Sequence, residues 1–199
     1  MKVATSVSHP IRVDVMPVDG LPGRLGLTFA PGKRAVSSVY GLRWDRDLDI
    51  DLRDLRLVHG TDVLVALIRD YEYELLGIPD LVERAEAHGM TVRRFEIEDV
   101  SVPEPASEGA FRELIDELDA HLAAGRNLTV HCRGGLGRSG LVAACVLVRH
   151  GIGASEAIAR VRAARPGAVE THGQERYVHA YSAGIDRASP NVAETAQHC

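Results

Sequence analysis

The chain has 199 residues, of which 45% are hydrophobic and 26% are charged, and these proportions predict one soluble globular domain. A formal net charge of -5 argues against a general affinity for nucleic acid. The cysteines Cys132, Cys145 and Cys199 form neither a disulfide framework nor a metal-binding pair, and the nine histidines lack metal-ligand spacing. No apolar run reaches the ~18 residues of a membrane span, and residues 1–10 lack a secretory core. We therefore expect a cytoplasmic protein without a metal or membrane partner.

Hydrophobic periodicity predicts strands and helices through the first half of the chain. Residues 1–10 are expected to be loose. Trp44, the single tryptophan, is expected to have a packing role, and a substrate platform is the less favoured alternative. Alternation with period two predicts an edge hairpin formed by residues 11–15 and 25–29. The elements predicted next are an amphipathic helix at 45–58, a buried strand at 62–69, a helix at 78–88 and a strand at 91–97.

The second half continues the alternation of helix and strand. Its predicted elements are an amphipathic helix at 107–125, a strand ending at 132, an apolar helix near 141–148, a helix at 154–164 and a last helix at 170–181. The fold class is therefore α/β, with three layers in which a central, mostly parallel twisted sheet lies between helices. We expect one domain over residues 1–183 and a flexible tail over 184–199.

A glycine-rich turn joins the strand ending at Cys132 to the apolar helix. Its glycines permit backbone angles that other residues resist, so successive amide N–H groups can point inward. The helix N-terminus adds positive potential, which makes the turn a cradle for an oxyanion. The residues expected to bind the anion are Arg133, Gly134, Gly135, Leu136, Gly137 and Arg138.

This arrangement suits attack of a thiolate on phosphorus. The thiolate is the nucleophilic form of cysteine, and the potential that holds the phosphate also favours a thiolate at Cys132. Phosphoryl transfer spreads charge over three equatorial oxygens, which the amides and the planar guanidinium of Arg138 can bind. Ser139 is expected to be the first residue of the helix, to cap it and to donate a hydrogen bond to the sulfur.

The run from His131 to Ser139 resembles the His-Cys-x5-Arg-Ser/Thr signature of the cysteine-dependent protein phosphatases. Extended to Cys145, it is similar to the kinase-associated phosphatase branch of the dual-specificity group, and the similarity covers roughly residues 50–181. The resemblance implies a protein tyrosine phosphatase-like fold, a phosphocysteine intermediate, phosphorylated protein or peptide substrates and no cofactor. It also implies that His131 orients the loop and supports the ionised cysteine through hydrogen bonds.

The general acid of the family lies on a loop that follows a strand, and Asp99 matches that position. The 33 residues from Asp99 to Cys132 leave room for one helix and one strand. A carboxyl group in a pocket that bears a thiolate is kept protonated by the like charge, as proton donation to a leaving oxygen requires. Glu98 and Glu104 are the alternative candidates.

Three further carboxylates and one amide complete the predicted site. Gln174 matches a family glutamine that positions the hydrolytic water. Glu170 stands at the position of the other family glutamine, and this departure puts in question the rate or selectivity of the hydrolysis of the phosphocysteine. Either Glu72 or Glu74 is expected to brace Arg138, unless both are solvated loop carboxylates.

Two other function classes remain open from the sequence. One is a non-catalytic phosphate-binding module, which usually lacks the cysteine or the acid. The other is a thiol enzyme with an anion loop, such as a sulfur transferase or an arsenate reductase; the latter needs a resolving cysteine. Among anionic substrates, phosphoinositides are disfavoured because Arg133 is the one basic side chain at positions 133–137. The resemblance does not establish a kinase partner.

Overall fold

The computed structural model describes residues 2–37 and 42–188. Its strands are β1 (Lys2–Ala4), β2 (Asp14–Pro17), β3 (Arg24–Phe29), β4 (Arg34–Ser37), β5 (Leu42–Asp45), β6 (Val63–Ala66), β7 (Thr91–Arg94) and β8 (Leu128–Cys132). Its helices are α1 (Leu48–Leu57), α2 (Asp70–Leu76), α3 (Leu81–Ala87), α4 (Glu108–Ala123), α5 (Gly137–Arg149), α6 (Ala154–Ala164) and α7 (His172–Ala188), with a short 3₁₀ helix at Pro105–Ser107.

The main sheet has five strands in the order β2-β3-β8-β6-β7. The β2–β3 pair is antiparallel and the other three pairs are parallel, which confirms the predicted mostly parallel sheet. Every residue of β6 and β8 is buried. Central parallel strands of this kind require cover on both faces. β6 is accordingly a continuous apolar run, whereas β8 also carries the buried polar residues Thr129 and His131.

The strand register brings three carboxyl ends to one edge of the sheet. Phe29 at the end of β3 lies opposite Cys132, and Ala66 at the end of β6 lies opposite His131. The loops that follow these parallel strands therefore meet at this edge, where open α/β sheets place their sites.

The apolar helix predicted after the turn is α5, which is buried from Gly137 to Val148. It contacts α4, α6 and α7 as well as β3 and β8, so it forms the centre of one helical layer. Elsewhere α1 contacts α3, and α3 contacts β7. A helix that is apolar on every side requires such packing all round.

A second sheet of three strands, in the order β1-β5-β4, was not predicted. The expectation that residues 1–10 are loose is wrong for Lys2–Ala4, which pair in parallel with β5. These strands are too short for a period to be recognised, and their pairing is long-range. Trp44 is half-buried in this region, with its ring centroid 5.3 Å from that of Phe29, which fits a packing role, and it also borders an open cleft.

Several element boundaries differ from the predictions, and one helix was missed. Strands β6 and β7 end at Ala66 and Arg94 rather than at residues 69 and 97. The first hairpin strand is Asp14–Pro17 rather than residues 11–15. Helix α2 was not predicted because it has only seven residues, too few for a periodic pattern. Helix α7 continues through Ala188, past the predicted start of the tail at residue 184, although Gly184 has a poor helix propensity. The rest of the predicted tail, 189–199, lies outside the described residues. In the described part of the chain, no helix combines the length and apolar character needed to cross a bilayer.

Candidate active site

Cys132 ends β8 and its sulfur lies beneath the predicted cradle. The Gly135 amide donates a hydrogen bond to Cys132 Sγ at 3.2 Å, and only 3% of the Cys132 surface is exposed. Gly135 has φ +73°, and a Cβ at this position would lie 2.3 Å from the carbonyl oxygen of Thr28. A glycine is therefore required for the loop to fold back over the end of β3.

The predicted capping role of Ser139 is wrong. Helix α5 begins at Gly137, its N-cap is Leu136, and no side chain caps it. The loop finishes its turn at Leu136, so Ser139 already lies inside the first helical turn, where it cannot adopt the extended N-cap geometry. Its Oγ is buried and has no hydrogen-bond partner among the described residues. The predicted donation to the sulfur is thus not formed in this arrangement.

Arg138 is fixed by a buried carboxylate from α2. Its Nη1 and Nη2 donate to the two oxygens of Glu72 at 2.6 and 3.0 Å, and Nη1 also donates to the carbonyl of Ile97 at 3.0 Å. Burial opposes the charge, but Glu72, Cys132 and Asp99 together raise the pKa of Arg138 above its ordinary value. The prediction that Glu72 or Glu74 braces Arg138 is confirmed for Glu72, whereas Glu74 is exposed.

Asp99 reaches the same guanidinium from the loop after β7. Its Oδ1 lies 2.9 Å from Arg138 Nη2, and 43% of its side chain is exposed. Val100, which follows, has φ +53° and donates its amide to Asp99 Oδ1 at 3.1 Å. Positive φ is unfavourable for a β-branched residue, so this loop carries strain beside the site. Asp99 thus faces the cation at the centre of the site, a contact that the sequence did not predict.

The alternative acids pair with Arg69 rather than with Arg138. Glu98 accepts hydrogen bonds from Tyr71 Oη and Arg69 Nη1, each at 2.8 Å. These bonds, that from Tyr71 foremost, lower the pKa of Glu98. Glu104 is exposed over 70% of its side chain and lies 3.9 Å from Arg69. Neither carboxyl contacts Arg138 through an ion pair or a hydrogen bond among the described residues.

Gln174 and Glu170 lie against the start of α5. The Oε1 of Gln174 accepts the amides of Glu170 at 2.9 Å and Thr171 at 3.3 Å, and its Nε2 donates to the carbonyl of Ser101 at 3.0 Å. A Cβ on Gly137 would lie 2.9 Å from Gln174 Nε2 and also from Glu170 Oε2. Gln174 therefore joins α7 to the Asp99 loop directly beside the cradle.

Lys33 was not predicted, yet it is buried at the same site. Its Nζ donates to the carbonyl of Arg133 at 3.3 Å and lies 4.6 Å from the ring centroids of both Phe29 and Trp44. Burial lowers the pKa of Lys33 to about 8, although the charge of Cys132 opposes this shift. The available sequence signal was a Pro-Gly-Lys turn after a strand, which is too short to identify a site residue.

His131 is fully buried, and its Nδ1 lies 3.4 Å from the carbonyl oxygen of Cys132. Burial lowers its pKa to about 4, so the imidazole is neutral near pH 7. His131 can therefore support the conformation of the loop through packing and hydrogen bonding, but not through a positive charge. Among the described residues, no three His, Cys, Asp or Glu side chains are grouped as metal ligands.

The solved structures that share this fold include phosphatases. Kinase associated phosphatase, crystallised with serine in place of its catalytic site cysteine, has a TM-score of 0.77 and 27% identity, covering 89% of this chain and 97% of that one. Tk-PTP in its active form has a TM-score of 0.65 and 25% identity, covering 85% of this chain and 97% of that one.

A family model described as Cyclin-dependent kinase inhibitor 3 (CDKN3) matches residues 10–159. Cyclin-dependent kinase inhibitor 3 from Rattus norvegicus is 32% identical over 139 residues, which cover 68% of this chain and 64% of the relative. The chain therefore belongs to the cyclin-dependent kinase inhibitor 3 family of dual-specificity phosphatases. The match spans 64% of the length of the curated relatives, so less than two thirds of each.

Proposed function

We propose that the protein is a cysteine-dependent phosphatase of the protein tyrosine and dual-specificity class, which hydrolyses phosphomonoesters on protein or peptide substrates. The observation that supports this most strongly is the geometry around Arg138. The guanidinium of Arg138 is held by Glu72 and lies 2.9 Å from Asp99. In the loop that precedes Arg138, the Gly135 amide donates a hydrogen bond to the sulfur of Cys132 at 3.2 Å. A nucleophile, an anion-binding group and an acid therefore share one small site.

In the first step the thiolate of Cys132 attacks phosphorus in line with the leaving oxygen. The S–P bond forms and the P–O bond to the substrate breaks, while the loop amides and Arg138 hold the equatorial oxygens. Asp99 enters this step as a carboxylic acid and transfers its proton to the leaving oxygen. The products of the step are a free alcohol or phenol and a phosphocysteine.

The second step hydrolyses the phosphocysteine. Asp99, now a carboxylate, takes a proton from water as the water oxygen attacks phosphorus, and the S–P bond breaks to return the thiolate of Cys132 and release phosphate. The family resemblance assigns the positioning of this water to Gln174. Because its Oε1 already accepts two backbone amides, we assign it a role in orienting the loop as well as the water.

The Asp99–Arg138 contact has a consequence for substrate binding. A phosphate held by Arg138 competes with the Asp99 carboxylate for the guanidinium. The like charge of the phosphate weakens the Asp99–Arg138 ion pair, and this frees the Asp99 carboxyl group for its role as the acid. Binding of the substrate anion and readiness of the acid are coupled through one side chain.

A thiol–disulfide or arsenate-reducing function is less well supported. Cys145 is completely buried in α5, and burial raises its pKa far above the ordinary value for a thiol. Such a thiol is a poor resolving nucleophile. Because Cys132 must stay reduced to act, we propose a reducing compartment, the cytoplasm, as the site of action.

The test is hydrolysis of para-nitrophenyl phosphate under reducing conditions with EDTA present. We expect wild-type turnover, none by Cys132→Ser, and a strongly reduced rate for Asp99→Asn. Wild-type protein that binds vanadate but releases no nitrophenol would support a phosphate-binding module. Thiol-dependent arsenate reduction that is lost in Cys145→Ser or Cys199→Ser would support the reductase.

A further inference from the structure

An open cleft of about 420 Å³ adjoins the phosphate loop on the side of the small sheet. Arg34 from β4 and Arg43 from β5 line it together with Arg133, the residue that follows Cys132. Arg133 therefore borders both the cradle and the cleft. An anion in the cleft would lie next to a phosphoryl group on Cys132.

The cleft carries an excess of positive charge. Within residues 2–37 and 42–188, the carboxylate at ion-pair distance from Arg34 and Arg43 is Asp45, at 3.8 and 3.7 Å respectively. These distances exceed the roughly 2.8 Å of a charge-assisted hydrogen bond, so Asp45 neutralises neither guanidinium by a close contact. Three guanidinium groups thus face one carboxylate. This concentration of charge contrasts with the net charge of -5 of the whole chain.

The stem of Arg34 is supported by packing rather than by an ion pair. Gly77 ends α2 with φ +69°, and a Cβ at Gly77 would lie 3.4 Å from Cδ of Arg34. Arg34 thus rests on the helix that carries Glu72. The remaining wall is apolar and includes Trp44 and Leu75, with Leu75 exposed over 58% of its surface.

We propose that this cleft is a specificity subsite for an anionic side chain that flanks the phosphorylated residue of a protein substrate. The anion is a carboxylate or a second phosphate, which Arg34 and Arg43 bind while the peptide backbone contacts the apolar wall. A mixed wall of arginine and apolar side chains suits a peptide better than an inositol phosphate, which offers no apolar surface. The inference rests on the proposed phosphatase activity and assigns that activity a sequence preference.

The experiment compares kcat/KM for phosphotyrosine peptides that share one parent sequence and differ at a single position. At successive positions on either side of the phosphotyrosine, a glutamine is replaced by glutamate or by a non-hydrolysable phosphonate analogue of phosphoserine. The measured quantity is the ratio of kcat/KM for the anionic peptide to that for the neutral one, which does not depend on the basal rate. We expect a ratio of about five to ten at one favoured position, reduced at high ionic strength.

The variants are Arg34→Gln, Arg43→Gln and the charge reversal Arg43→Glu. The glutamine variants should bring the ratio to about one, and Arg43→Glu should bring it below one because like charges repel. Arg53→Gln is the matched control: its side chain is 54% exposed, as is that of Arg43, but it lies on α1 outside the cleft. This control should keep the wild-type ratio. The glutamate and phosphonate series show whether a carboxylate suffices or a phosphate is required.

Failure of this proposal is distinguishable from failure of the proposed activity. A wild-type protein that hydrolyses all peptides at the same kcat/KM, or variants that keep the wild-type ratio, would overturn the subsite while leaving the phosphatase intact. Absence of hydrolysis of every peptide would overturn the activity itself. If the arginine variants instead lose preference for phosphatidylinositol bisphosphate over monophosphate in vesicles, with peptide ratios unchanged, the cleft serves a lipid headgroup and the peptide assignment is wrong.

Discussion

Glu72 and Arg138 form a two-point ion pair in the interior, with oxygen–nitrogen distances of 2.6 and 3.0 Å and side chains that are 2% and 0% exposed. The pair connects the first turn of α2 to the first turn of α5. Because α2 follows β6 and α5 follows β8, it fixes the phosphate-binding guanidinium relative to two parallel strands. The carboxylate also accepts the Arg69 amide at 3.0 Å, which anchors α2 at its start.

Removal of the Glu72 carboxylate should destabilise the protein. In Glu72→Ala, the buried charge of Arg138 keeps only the partly exposed Asp99 carboxylate and the Ile97 carbonyl as partners. We therefore expect a loss of about 3 kcal/mol in the free energy of unfolding, the low end for a broken buried pair. Urea denaturation measures this loss. Glu74→Ala, two residues further along α2 but exposed, should change the free energy by less than about 0.5 kcal/mol. Equal effects of the two substitutions would contradict the role given to the Glu72–Arg138 pair.

Asp99→Asn should slow cleavage of the substrate P–O bond to a degree that depends on the leaving group. An amide cannot supply the proton, so we expect a loss of about 10²- to 10⁴-fold in kcat/KM for an alkyl phosphate. The loss should be smaller for para-nitrophenyl phosphate, whose leaving oxygen needs less protonation. Steady-state kinetics with a series of leaving groups measures the difference. A greater loss in Glu98→Gln than in Asp99→Asn would transfer the acid role to Glu98.

Lys33 should produce a pH dependence on the alkaline side. Its pKa is lowered to about 8, so it is a cation below that pH and loses its charge above it. Loss of a cation beside the thiolate should reduce kcat/KM as the pH rises through about 8. Lys33→Arg, which keeps its charge, should remove this decline, and Lys33→Met should lower kcat/KM at pH 7 by about tenfold. An identical alkaline decline in wild type and Lys33→Arg would exclude Lys33 as its source.

His131 should contribute to acid lability of the fold. Its pKa falls from 6.5 to about 4 on folding, so between these values the unfolded chain binds more protons than the native protein. The contribution of His131 to the free energy of unfolding is therefore fully present above pH 6.5. It decreases by about 3 kcal/mol as the pH falls to 4. Urea denaturation of wild type and His131→Gln across this range gives the free energy of unfolding at each pH. The contribution of His131 is the difference between the slopes of the two curves against pH. Parallel curves would show that His131 does not cause it.

The sequence predicted the parts of the site that lie close together in the chain. The span from Cys132 to Arg138 could be assigned because a strand, a glycine turn and a helix follow one another with a fixed spacing. Asp99 was assigned because it matches the general-acid position of the family that the chain resembles. Ser139 was misplaced as the helix cap because the start of α5 depends on where the turn closes, which spacing alone does not determine to within two residues.

The residues that the sequence missed reach the site through long-range pairing. Lys33 is brought beneath the loop because Phe29 pairs with Cys132 in the parallel β3–β8 register, and no local pattern encodes that register. The choice between Glu72 and Glu74 required the start of α2, a helix too short to give a periodic signal. The small sheet that contributes Arg34 and Arg43 to the cleft was missed because its strands are short and two of them, β1 and β5, pair over a long distance in the chain.

The most direct test of the proposed phosphocysteine mechanism is to find which residue carries the phosphoryl group during turnover. Wild-type protein is mixed rapidly with para-nitrophenyl phosphate and quenched, and its peptides are then analysed by mass spectrometry. We predict one phosphoryl group on the peptide that contains Cys132, located on its sulfur, and neither label nor turnover in Cys132→Ser. Steady turnover by Cys132→Ser, or a phosphoryl group on another residue such as His131 or Ser139, would contradict the mechanism.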